Sequence, residues 1–131
     1  MIQEFGVRCP ADAWRAVSIA EGLKESYQQT RQLLAAHPDV QAVIVHGANW
    51  APAVYKAIAE SGRTVGQDLA VAAFDDPPVV EFLQPALTVV CEPVDQIAAE
   101  LARMLLNAIE QSDAPAETVK VESRLVRRES T

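Results

Sequence analysis

The chain reads as an α/β protein, a parallel sheet with helices on both faces. Three observations give that class. Short apolar runs at Val40 to Val45, Leu69 to Phe74 and Leu87 to Cys91 are too brief for helices and are bounded by glycine or proline, as buried strands are. Segments of helical period lie between them. The resulting order, strand, helix, strand, helix, strand, is a βαβαβ pattern, and its right-handed connections build a parallel sheet covered by helices.

Length and composition set the outer limits. With 131 residues, half of them apolar, the chain can bury one core and form one domain. A formal charge of −7 argues against a nucleic-acid surface, which would carry a basic patch or stripe. The two cysteines, Cys9 and Cys91, have no metal-ligand spacing and read as reduced thiols. No apolar run approaches the roughly 18 residues of a membrane span, and Met1 is followed by no secretory leader. The expected compartment is the cytoplasm, with no membrane association.

Taken in order, Trp14 to Ala20 alternates apolar and polar residues and is predicted to be a first strand ending at Glu21-Gly22. Glu25 to Ala36 carries Tyr27, Thr30, Leu33 and Leu34 at helical spacing, and His37-Pro38-Asp39 stops it. The β-branched run Val40 to Val45 is a central strand ending at His46-Gly47-Ala48-Asn49-Trp50. Pro52 suits the first turn of the next helix, where its missing N–H costs nothing, and Gly62 supplies the left-handed stop. Leu69 to Phe74 is the second strand of the pattern, closed by Asp75-Asp76-Pro77-Pro78. After the strand Leu87 to Cys91, Pro93 opens a helix to Glu110, with Asp95 in its first turn and Ile97, Leu101, Leu105 and Ile109 along one face. Ser112 to Pro115 breaks it. Val119, Val121 and Leu125 then alternate with Lys120, Glu122 and Arg124, as in an antiparallel or edge strand.

In an open α/β sheet, ligands bind outside the carboxyl ends of the strands. Asp75 stands there, where a carboxylate can accept two hydrogen bonds from the hydroxyl groups of a small molecule. The alternative is that Asp75 and Asp76 cap the turn before Pro77, and Asp76 is assigned to structure. His46, Asn49 and Trp50 occupy a second strand-end loop. The Trp50 ring can lie against the apolar face of a ligand or pack at the helix start, and His46 can be a ligand or a satisfied strand-end histidine. Glu92 either reaches the same crevice or caps the helix at Pro93, and Glu21 is a further candidate. Arg124, Arg127 and Arg128 read as a solvated strand end. No Ser/His/Asp or Cys/His arrangement, dinucleotide fingerprint or phosphate loop is present, and His37 and His46 do not make a metal pattern. The chain is expected to be no enzyme and to carry no cofactor or metal.

The motifs Glu60 to Gly62, Phe74-Asp75-Asp76, Pro85 to Val89, the helix from Pro93 and Arg128-Glu129-Ser130-Thr131 follow one another in an order that resembles the LacI/GalR family of bacterial transcription regulators. The likeness covers about residues 21 to 131. It implies part of a type I periplasmic-binding-protein-like domain, with residues 21–92 as the second lobe, 93–112 as a helix that packs on a missing first lobe, and 116–131 as a returning strand. Met1 to Arg8 is similar to the tail of a helix and its exit.

The resemblance further implies that Asp75 contacts a small-molecule effector, a sugar or sugar derivative. It also implies homodimer contacts through Pro52, Tyr55, Val80 and Leu83, and DNA binding only through a helix-turn-helix headpiece absent here. The sequence departs from the family where Gly47-Ala48 replaces the usual Asn-Asp, which shifts recognition onto His46, Asn49 and Trp50. A periplasmic-type sugar-binding protein shares the fold, although the Arg128-Glu129-Ser130-Thr131 ending weighs against it. A stand-alone module forming homodimers, or mixed dimers with full-length relatives, is a third reading. Without the first lobe, the apolar stripe on the helix from Pro93 to Glu110 should be exposed.

Overall fold

The computed structural model describes residue 6, residues 8–110 and residues 117–131. The helix tail expected over Met1 to Arg8, apart from Gly6 and Arg8, and the break from Ser112 to Pro115 lie outside them. Helix α1 (Gly22–Ala36) leads to strand β1 (Ala42–Val45), then α2 (Ala51–Glu60), β2 (Ala70–Phe74), β3 (Thr88–Cys91), α3 (Val94–Glu110) and β4 (Arg124–Val126). The four strands form one sheet in the order β1-β2-β3-β4. The first three are parallel and β4 runs antiparallel to β3.

Local chemistry explains these bounds. Helix α1 closes where the N–H of His37 reaches the carbonyl of Leu33 at 2.8 Å, just before Pro38 forbids another turn. Helix α2 has Pro52 in its first turn and stops at Gly62, whose φ of 78° is the left-handed value that glycine adopts at little cost.

Ladder register sorts the side chains. Val45 stands opposite Ala73, and Ala73 opposite Val89, so the three share a face. Together with Val71 they pack against Leu34 of α1 and Val54 and Ile58 of α2 in a single buried cluster. Burial of each such aliphatic side chain contributes about 1.5–3 kcal/mol.

The opposite face differs from expectation. Among the described residues no helix covers it: Ile44, opposite Ala72, is 72% exposed and Leu125, opposite Val90, is 64% exposed. The α/β class and parallel pairing stand, with helices on one face. Helix α3 buries none of its residues, and Leu101, Leu105 and Ile109 are exposed along it, as its uncovered stripe predicted.

Trp14 to Ala20 is not a strand, which corrects the sequence-based expectation. Single helical turns at Ala11–Ala13 and Ile19–Glu21 flank it. Trp14 and Ser18 have extended dihedrals, yet the segment pairs with no neighbour among the described residues. Alternation predicts an extended chain; a strand also needs a partner.

The C-terminal residues lock the sheet. Ser130 is fully buried, donates its hydroxyl to the carbonyl of Val71 at 2.6 Å and accepts the N–H of Thr88 at 2.8 Å. It thereby ties β2 to β3. Gly66 sits beside this contact at φ 79°, where an added Cβ would lie 2.4 Å from the carbonyl oxygen of Glu129. Backbone conformation and close approach both require glycine there.

Candidate functional site

Parallel pairing brings the carboxyl ends of β1, β2 and β3 to one rim. β1 delivers His46, β2 delivers Asp75 and β3 delivers Glu92. The register Val45 to Ala73 and Phe74 to Val90 places these loops side by side. The His46 and Phe74 rings lie 6.1 Å apart with their planes tilted at 43°. Glu21 joins the same rim because α1 starts under the β1 loop: a Cβ at Gly22 would meet Trp50 Nε1 at 2.5 Å.

Asp75 is held in a distinctive way. Its φ is 71°, left-handed for a residue with a side chain, and its N–H donates to the carbonyl of Val90 at 3.1 Å. Asn and Asp tolerate that region better than other side chains, which accounts for the residue type at this turn. The carboxylate is exposed and engages no group among the described residues, so it does not cap the turn. Asp76 behaves differently: both its oxygens accept from Arg128 Nη2, at 2.8 and 3.1 Å.

The other predicted residues separate into two groups. His46, Asn49, Glu21 and Glu92 are exposed on the rim. It is the backbone carbonyl of Glu92 that accepts the N–H of Val94, at 2.9 Å, which leaves its carboxylate free of contacts among the described residues. Trp50 is half-buried, packed on the core and across Gly22 and Gly47. Its ring serves first as packing, with only part of its surface turned to solvent.

Of the residues expected at a dimer contact, Pro52, Tyr55 and Leu83 are half-buried. The hydroxyl of Tyr55 donates to the carbonyl of Pro85 at 3.0 Å, and burial raises its pKa above the ordinary value near 10. Val80 is 0% exposed within the chain's own core, and its assignment to a surface contact is corrected. Its neighbour Phe82 is 82% exposed and Val79 is also exposed. Within the short helical turn Pro78–Phe82 only Val80 is buried, and no sequence period over so few residues could reveal which residue faces the core.

Arg128 was also misplaced by sequence: its side chain is largely buried, donating to the carbonyl of Leu87 at 2.8 Å as well as to Asp76. Among the described residues no group of three or more metal-ligating side chains occurs. No helix there is long and apolar enough to cross a membrane.

Comparison with known proteins agrees with this geometry. Residues 2–131 match the periplasmic binding protein-like domain family. The lactose operon repressor of Rhizobium radiobacter is 36% identical over 89 residues, which cover 66% of this chain and 79% of that protein. The chain belongs to the LacI/GalR family. The HTH-type transcriptional regulator CelR of Thermobifida fusca is 34% identical over 100 residues, covering 76% of this chain and 29% of CelR.

Among solved structures, a CelR–cellobiose complex superimposes with a TM-score of 0.87 at 27% identity, covering 99% of this chain and 39% of that one. A LacI family regulator from Arthrobacter sp. FB24 in complex with lactose gives 0.76 at 25% identity, covering 99% and 47%. The LacI/GalR chain described here thus spans about a third of CelR and of the ribose operon repressor of Halalkalibacterium halodurans, 29% and 33% of their lengths. These relatives are transcriptional regulators and repressors.

Proposed function

We propose that this chain supplies one half of the effector cleft of a LacI-type transcription regulator, together with a dimer contact, and that its effector is a sugar or a sugar derivative. The observation that carries the reading is Asp75, an uncommitted carboxylate held by a left-handed backbone at the end of the central strand β2. His46, Asn49, Glu92 and Glu21 on the same rim add acceptors and donors for hydroxyl groups. The cellobiose and lactose complexes of related regulators support the ligand class.

Residues 21–92 form the second lobe in this reading, 93–112 the helix that reaches the first lobe, and 116–131 the returning strand. The exposed stripe of α3 supports that division. Effector binding between the lobes would favour one lobe arrangement and alter operator affinity through a headpiece outside this chain. Such a regulator works in the cytoplasm, where Cys9 and Cys91 stay reduced. The dimer contact is assigned to α2 and the turn carrying Val79 and Phe82.

Titrating the 15N-labelled chain with cellobiose, lactose and ribose tests the cleft. One of these sugars should shift the amides of His46, Asn49, Asp75 and Glu92 ahead of all others. Shifts scattered over the surface, or none, would contradict the assignment. Light scattering tests the dimer: Phe82→Asp should halve the mass while leaving the fold intact.

A further inference from the structure

We infer that Glu25 is a positioning residue for the cleft: its carboxylate fixes the turn Ile19–Glu21 and so holds Glu21 at the rim. This rests on the cleft assignment above and deepens it. Glu25 lies in the first turn of α1 and reaches back seven residues, where one of its oxygens accepts the N–H of Ser18 at 2.6 Å. The turn that ends in Glu21 lies inside that span. A carboxylate suits the task, since a charge-assisted bond to a backbone N–H is stronger than a neutral one and negative charge is favoured at a helix start.

Little else holds this turn. Ser18, Ile19, Ala20 and Glu21 are all exposed, Ile19 by 87%, so burial does not fix it. Residues 14–20 pair with no strand among the described residues, and neither Ser18 nor Glu21 supplies a side-chain cap. Among the described residues, the bond from Ser18 to Glu25 is the one hydrogen bond involving a side chain that joins residues 14–20 to α1, α2 or the sheet. A segment with so few buried contacts opens at small free-energy cost once its tether is removed.

The far end of the turn is pinned by packing. Gly22 is buried, and a Cβ there would lie 2.5 Å from Trp50 Nε1, so the backbone that follows Glu21 runs directly against the Trp50 ring. Trp50 belongs to the loop after β1 that also carries His46 and Asn49. Glu21 therefore stands between two fixed points, the Glu25 tether before it and the Gly22–Trp50 contact after it. With both in place, the Glu21 carboxylate meets a ligand with little conformational freedom left to lose. Without the tether, ordering the turn subtracts from the free energy of binding.

The test is a double-mutant cycle on the 15N-labelled chain, titrated with whichever of cellobiose, lactose and ribose binds the parent rim most tightly. Glu25→Ala should weaken binding about fivefold with a melting temperature near that of the parent, and Glu25→Gln, which keeps an acceptor oxygen, should restore most of the affinity. In the Glu21→Ala background, Glu25→Ala should weaken binding no further, because the tether acts through Glu21. Equal losses in the two backgrounds, or no loss from Glu25→Ala in the parent, overturn the inference and leave the cleft assignment standing. Parent rim amides that respond to none of the three sugars overturn both.

Discussion

The guanidinium of Arg128 meets both carboxylate oxygens of Asp76 across 52 residues of sequence, and its other terminal nitrogen reaches the carbonyl of Leu87. The second aspartate of the strand-end pair is thereby fixed to the C-terminal segment. The first, Asp75, is left pointing free. The two neighbouring carboxylates differ in what faces them, and the binding role proposed for Asp75 rests on that difference.

Arg128→Ala should therefore destabilise the fold by about 2 kcal/mol, through a lost charge-assisted pair in a largely buried setting and an unmet carbonyl. Arg128→Lys should recover only part of this, because a single ammonium cannot serve both groups in the geometry of the planar guanidinium. Chemical denaturation measures both, and unchanged midpoints would contradict the role assigned to the pair.

Ser130→Ala should cost about 1–3 kcal/mol. The substitution leaves the buried N–H of Thr88 and one hydrogen bond to Val71 unmet and adds no compensating burial. Restoring the hydroxyl with threonine should rescue the fold only in part, since the added methyl group must be accommodated at a fully buried position.

Two glycines with nearly the same φ should respond differently. Gly62→Ala meets open space and carries only the left-handed backbone cost, about 1 kcal/mol. Gly66→Ala adds a contact of 2.4 Å with the carbonyl oxygen of Glu129, a backbone atom that can shift only by moving the Ser130 lock. Its destabilisation should exceed that of Gly62→Ala by at least about 1 kcal/mol in thermal melts.

Much of the fold was legible in the sequence because its signals are local. Val40 to Val45, Leu69 to Phe74 and Leu87 to Cys91 each contain an observed strand, and the apolar spacing marked the stripe on α3, whose exposure the family resemblance implied. The failures are non-local. Trp14 to Ala20 carries strand alternation without a neighbour to pair with, and Arg128 looks solvent-bound until the chain folds it back onto Asp76. Val80, expected at a surface contact, is buried while Phe82 is exposed, because one short helical turn sets their direction. In the site, strand ends could be located by sequence, but the packing of Trp50 over Gly22 could not, since it joins two elements through a close approach with no pattern of its own.

Alkaline pH should weaken the fold through Tyr55. Burial raises its pKa in the folded state, so the folded chain holds the phenol proton more tightly than the unfolded chain. Stability from this group is intact below the ordinary value near 10 and declines as pH rises through the raised value. Tyr55→Phe should flatten that decline while losing about 1 kcal/mol at neutral pH from the bond to the Pro85 carbonyl. Denaturant midpoints from pH 8 to 11 measure both effects.

The account turns on Asp75, and the most direct test is Asp75→Asn with cellobiose followed by 15N amide shifts and by thermal melting. Asparagine keeps the left-handed backbone at little cost and removes only the charge and one pair of acceptor sites. The predicted result is an unchanged melting temperature and loss of the sugar-induced shifts at His46, Asn49 and Glu92. A variant that melts like the parent and binds cellobiose equally well would contradict the assignment of Asp75 to the effector.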